Sequence, residues 1–137
     1  MAATGIAGIV TLALNTRLAS LTLSPVMVVA WPNVAFTPPA AGYMEPVAFR
    51  NLTQPTGFRT NTLQGIYQVS VRKPQSQGPT PADNAADSVA AHFPRGLWLE
   101  LSGVTVRVRN VSVGSAMKDD PYWMVPVSVD WFAENNF

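Results

Sequence analysis

At 137 residues the chain is long enough to bury one hydrophobic core and reads as a single domain spanning residues 1–137. Hydrophobic residues make up 47% and charged residues only 12%, about half the usual share of roughly 25%, so either partners cover part of the surface or Thr, Ser, Asn and Gln solvate it. The net charge of +1 gives no electrostatic footprint for nucleic acid, and the absence of cysteine excludes disulfides, thiolate metal sites and cysteine nucleophiles.

Ahead of Glu45 the only charged side chain is Arg17. A secretory signal needs Lys or Arg before its apolar stretch, and residues 2–5 supply none. A membrane-spanning helix needs about 20 apolar residues. Asn15, Thr16 and Arg17 interrupt the run, and Pro25, Pro32, Pro38 and Pro39 break the chain beyond it. Neither segment type is expected. Residues 4–21 instead predict an amphipathic helix with Ile6, Val10, Leu14, Leu18 and Leu21 on its core-facing stripe.

Residues 26–31 predict a short apolar strand stopped by Pro32. Residues 34–42, with Pro38-Pro39, are expected to run extended over the surface. Residues 45–52 predict a second strand with Val47 and Phe49 on one face. The polar stretch 53–62 is longer than a tight hairpin needs and carries Phe58 and Arg59, a candidate contact loop. Its other reading is a hairpin tip with Phe58 folded back onto the sheet. Residues 63–73 form the clearest strand, with Tyr67, Val69 and Val71 on one face and Gln68, Ser70 and Arg72 on the other.

After a linker at 74–80, Thr80 is read as the N-cap of a second helix, with Pro81 at the first helical position and Asp83 at the third. Ala82, Ala86, Val89, Ala90 and Phe93 form its inner stripe. Residues 97–101 and 104–108 flank the hairpin signal Ser102-Gly103. The apolar phase then flips to Val111 and Val113, which predicts a bulge near Arg109-Asn110. A turn at 118–121 leads into a final strand, 122–132, with Trp123, Val125, Val127, Val129 and Trp131 on one side. Pro126 marks an edge or a bulge in it. The order α-β-β-β-α-β-β-β predicts an α+β fold, a mixed and mainly antiparallel sheet with two helices packed on one face.

Catalytic chemistry finds no foothold. His92, the only histidine, lies in the last turn of the second helix, where its cation would suit the helix dipole, and no Gly-x-Ser-x-Gly elbow offers it a nucleophile. Asp83 and Asp87 are four apart on one helix face, too few oxygens for a cation, and read as solvated. Phosphate-cradling glycine motifs are absent. Arg107 and Arg109 with Arg72 and Lys73 form a basic patch if their strands adjoin, or pair across strands with acids such as Glu100 and Asp130. No catalytic residue, metal ligand or cofactor is expected.

Several stretches together resemble the lambda-type phage tail terminator family. They are Arg17–Leu21 at the first helix end, Ala30-Trp31-Pro32-Asn33-Val34-Ala35-Phe36-Thr37-Pro38-Pro39, and residues 65–71. The helix end Ala90-Ala91-His92-Phe93-Pro94-Arg95-Gly96, residues 103–108 and residues 123–129 complete the set. The resemblance implies an α+β subunit, six copies closing a ring at the head-proximal end of the tail tube, and location in the virion after assembly in the host cytoplasm. Its implied partners are further copies of the chain, the tail tube protein and the head–tail connector, with genome DNA passing through the lumen without sequence-specific binding and no membrane involved. Another neck or head-closure component, or a small ligand-binding domain with a polar cleft around His92, are the competing readings. The family's functional surface is not a short motif. Arg50, Phe58, Arg59, Arg72 and Lys73 are contact candidates chosen from the residues themselves.

Overall fold

The computed structural model describes residues 5–23, 26–57 and 60–136. Helix α1 (Ile6–Ala19) is followed by β1 (Val28–Val29), β2 (Tyr43–Arg50), β3 (Gln54–Pro55) and β4 (Thr60–Pro74). Helix α2 (Thr80–His92) then leads to β5 (Trp98–Leu101), β6 (Val104–Val113), β7 (Met117–Asp119) and β8 (Tyr122–Asn136). The strands form one curled sheet in the order β1-β2-β4-β8-β6-β5, with β3 added to β4 and β7 to β8. Every pairing is antiparallel except β1 with β2, so the fold is α+β with a mixed, mainly antiparallel sheet.

The frame is the long pair β4 and β8, matched from Thr60↔Asn136 to Pro74↔Tyr122. Their inward side chains follow the period of two: Tyr67, Val69 and Val71 on β4, and Val125, Val127, Val129 and Trp131 on β8, are all buried. Val104, Val106 and Val108 continue that layer on β6, and the expected bulge is present as a register shift between Val108 and Asn110. Ser102 and Gly103, at φ 50° and 79°, make the tight β5–β6 turn, whose twist requires both residues in the left-handed region.

Both helices cover the face to which Tyr67 points. Its hydroxyl donates to Asn15 Oδ1 of α1 at 2.6 Å, and its ring packs on Phe93 at the end of α2, centroids 5.8 Å apart. Burial pushes the Tyr67 phenol far above its ordinary range, so it stays a neutral donor. On α2, Ala82, Ala85, Ala86 and Val89 are buried, and their small side chains let the helix lie close on β8 and β4. On α1, Val10, Leu14 and Leu18 are buried as the stripe predicts, joined by Ile9 and Ala13. Leu12 on the opposite side is 38% exposed, so α1 is apolar on its outer face as well rather than strictly amphipathic.

One local expectation is corrected and two are refined. First, α2 begins at Thr80, and Pro79 is its N-cap: the Pro79 carbonyl accepts from Asp83 N at 3.1 Å, so Thr80 makes no side-chain cap. Second, Val47 and Phe49 share one face of β2 as expected, and it is the face turned away from the core, at 38% and 52% exposure, while Met44, Pro46 and Ala48 face the helices. Third, of the two readings of Pro126 the edge fails, because it lies inside the central strand β8, and the irregularity falls in the neighbouring strand. Gly114 N donates to the Pro126 carbonyl at 2.7 Å, but Pro126 has no N–H to return, so the neighbouring ladder breaks there into β6 and β7. Pro46 does the same for β1: Ala30 N bonds the Met44 carbonyl at 2.8 Å, and the next rung would need an N–H from residue 46.

Candidate functional site

Among the described residues no helix or strand covers the sheet face opposite the helices, although the 31–39 segment lies on it at the Tyr43 and Val47 end of β2. Its rows are read from the register. Val47, Gln68, Ser128 and Ser112 align across four strands, and Phe49, Ile66, Asp130 and Asn110 form the next row. Trp98, Arg107, Phe132 and Gln64 form another. Phe49, Ile66 and Trp98 are exposed at 52%, 40% and 61%. The face thus alternates polar and large apolar side chains, a composition suited to contact with another protein.

Arg107 lies over the Trp98 ring at 4.5 Å and Arg109 over Phe132 at 4.8 Å. Neither pairs with a carboxylate among the described residues, so the cross-strand pairing expected with Glu100 and Asp130 is absent. Strand β8 separates β6 from β4, and Lys73 points to the helix side, so these cations and Arg72 do not merge into one patch. The stacking was legible but missed: a hairpin turning at Ser102-Gly103 sets Trp98 opposite Arg107.

Of the contact candidates, Arg50 leaves β2 toward α1, donating to Thr11 Oγ1 at 2.9 Å and the Ala7 carbonyl at 3.4 Å. Arg72 sits over Tyr43 at 5.1 Å and binds Glu45 at 3.1 Å and Asp119 at 2.7 Å, joining β2, β4 and β7. Its side chain is only 12% exposed, whereas the two acids are nearly half exposed. Replacing Arg72 by Met is expected to cost about 2 kcal/mol, measured by urea unfolding, because two charge-assisted bonds go. An unchanged midpoint would show that the two pairs contribute nothing. Lys73 is buried and lines a groove of about 360 Å³ beneath α2 with Leu23, Pro81 and Ala85. Phe58 and Arg59 lie outside the described residues. Part of their loop is ordered as β3, where Gln54 and Pro55 pair with Thr62 and Asn61.

The segment 31–39 is held on the sheet rather than loose above it. Phe36 packs on Tyr43 at 5.0 Å, Tyr43 on Tyr122 at 5.4 Å, and the Tyr122 hydroxyl donates to the Pro39 carbonyl at 2.8 Å. Between this segment and β2 runs a groove of about 350 Å³ lined by Trp31, Val34, Phe36, Pro46 and Val47 among others.

His92 locks the two helix ends together. Arg17 Nε donates to the His92 carbonyl at 2.9 Å, and His92 Nε2 donates to the Arg17 carbonyl at 2.8 Å, with Ser20 Oγ at 2.9 Å. A carbonyl only accepts, so Nε2 carries the proton. Burial pushes His92 below its ordinary 6.5; the bond to the Arg17 carbonyl opposes this and the Arg17 guanidinium adds to it. The cationic form expected from the helix dipole is therefore disfavoured. The nearby depression of about 240 Å³ is lined by Ala13, Thr16, Arg17, Ser20 and Leu99–Leu101, not by His92, so it is no polar cleft around the imidazole. Because the unfolded chain binds the proton more readily, stability is full above pH 6.5 and falls as the pH drops through the lower folded value. His92→Gln is expected to flatten that acid loss in denaturation midpoints between pH 7 and about 5; an unaltered slope would refute the assignment. Among the described residues no group of three or more His, Cys, Asp and Glu could hold a metal.

A family model for phage tail terminator proteins matches residues 9–131. The chain belongs to the phage tail terminator family. It is a structural protein of the phage tail, carried in the virion, and it associates with other tail components. One solved structure, 28% identical, superposes with a TM-score of 0.77 over 94% of this terminator-family chain and 95% of its own length. No curated protein matches it. Among the described residues no helix is long and apolar enough to cross a membrane. Two of the segments that carry the terminator resemblance have structural duties: the Trp31–Pro39 stretch walls the groove against β2, and the His92–Gly96 stretch ties α2 to α1 and to β6, where Gly96 N donates to the Val108 carbonyl at 2.8 Å.

Proposed function

We propose that this chain caps the head-proximal end of the tail tube as a ring of six single-domain copies, ending tube polymerisation and offering the surface that the head connector joins. The family match over residues 9–131 carries this reading. The uncovered sheet face, with Phe49, Ile66 and Trp98 exposed, supports it, because a subunit that works by docking needs such surface and no reacting groups. In this reading Arg50, Phe58, Arg59, Arg72 and Lys73 contact neighbouring subunits, the tube or the connector. Arg50 and Arg72 arrive already held by bonds within the chain, which lowers the ordering cost of docking. Genome DNA traverses the lumen without sequence-specific contacts. Cryo-EM of the virion is expected to place the protein directly on the last ring of the tube. Density for it only beyond another protein, on the head side, would assign it to head closure instead.

A further inference from the structure

We infer that the open sheet face of one copy receives helix α2 of the next, with Arg107 and Arg109 meeting Asp83 and Asp87; this rests on the ring reading above. The guanidinium groups are fixed in place by stacking on Trp98 and Phe132, which leaves their N–H edges free, and neither has an ion-pair partner among the described residues. Asp83 and Asp87 are exposed on the outer side of α2 and are likewise unpaired there. Arg107 and Arg109 stack on rings of the same sheet face, Arg109 at the bulge between Val108 and Asn110, and four residues along a helix separate the aspartates by about 6 Å, so both pairs are compact. Trp98, 61% exposed beside the arginines, supplies the apolar anchor that such charge pairs need to exclude water.

The occupant is a second copy because the acidic and basic pairs lie on opposite sides of the same sheet. One copy cannot satisfy itself, and a head-to-tail contact that repeats by rotation closes a ring. Duplex DNA fits less well, since its stacked bases leave an exposed indole nothing to pack on and the net charge is only +1.

The test is sedimentation of the full chain at low ionic strength. Wild type is expected to associate, and to dissociate as salt is raised. Arg107→Glu with Arg109→Glu, and separately Asp83→Lys with Asp87→Lys, are each expected to weaken association by about a hundredfold. An equimolar mixture of the two variants is expected to reassociate with alternating copies, because each presents the complement of the other. All four side chains are exposed, so melting curves should match wild type; a variant that fails this check is replaced by the milder Arg107→Gln with Arg109→Gln, or Asp83→Asn with Asp87→Asn. Association indifferent to both reversals, or lost and not restored by mixing, overturns the inference. So does a wild type that stays monomeric, or duplex DNA held by the arginines without self-association. Each of those results leaves the ring reading to be decided by tail length alone.

Discussion

Gly65→Ala is expected to destabilise the protein by about 3 kcal/mol, the upper end of what overpacking costs, although alanine is ordinarily the better strand residue by about 0.5–1 kcal/mol. Gly65 sits in β4 between Arg50 on one side and Trp131 on the other. A Cβ there would overlap the Phe49 carbonyl oxygen and stand 3.0 Å from Trp131 Cζ2. The first obstacle is backbone, which has no rotamer to escape into, so β2 itself must move. Urea unfolding gives the number directly. A neutral or stabilising effect would contradict the close approach of β2 to Gly65. Combining Gly65→Ala with Trp131→Ala separates the two obstacles: the backbone overlap remains, so the loss from Gly65→Ala should persist in that background.

Trp131→Ala is expected to cost about 3–5 kcal/mol, the range for emptying a large aromatic site in a packed core. Trp131 is 1% exposed, pairs with Gly65 on β4 and Val108 on β6, and covers the space left by the missing Gly65 side chain. Its indole Nε1 is buried and makes no hydrogen bond with the described residues. That donor forfeits about 1–3 kcal/mol of desolvation. Trp131→Phe keeps much of the volume and removes the orphan donor, so its loss should be well under half that of the alanine variant. Equal losses for the two would show that the indole N–H finds a partner in solution. A loss below about 1 kcal/mol for alanine would remove Trp131 from the core that joins β4, β8 and β6.

The strands with one strongly apolar face were legible from their residues. On β4 and β8 the alternation Tyr67, Val69, Val71 and Val125, Val127, Val129, Trp131 admits one register, because a slip of one residue would put every large side chain into water. Strand β2 lacks that asymmetry. Met44, Pro46 and Ala48 on one face barely differ in apolar content from Val47 and Phe49 on the other, and tertiary contacts decide: Glu45 is drawn outward to Arg72, which turns Met44 inward. Pro126 reads locally as the mark of an edge or a bulge, and its missing N–H is accommodated by breaking the partner ladder at Gly114. That solution depends on a strand more than ten residues away and is invisible in a local window. The same holds for His92, whose partners Arg17 and Ser20 arrive from the other helix.

The candidate surface was less legible than the fold. A contact loop, a strand arginine and a lysine can be chosen by residue type, but the identity of the uncovered face depends on where both helices settle. Tyr67, bonded to Asn15 and packed on Phe93, fixes that side, and the rows of Trp98, Arg107 and Phe132 then become the exposed one.

The central claim, that this chain ends the growth of the tail tube, is tested most directly by measuring tail lengths, by electron microscopy, in phage whose gene for it has been deleted. The expected result is headless particles with tails well beyond the normal length and a broad length distribution, returned to a single length when the wild-type chain is supplied from a plasmid. Tails of normal, uniform length in its absence would contradict the account.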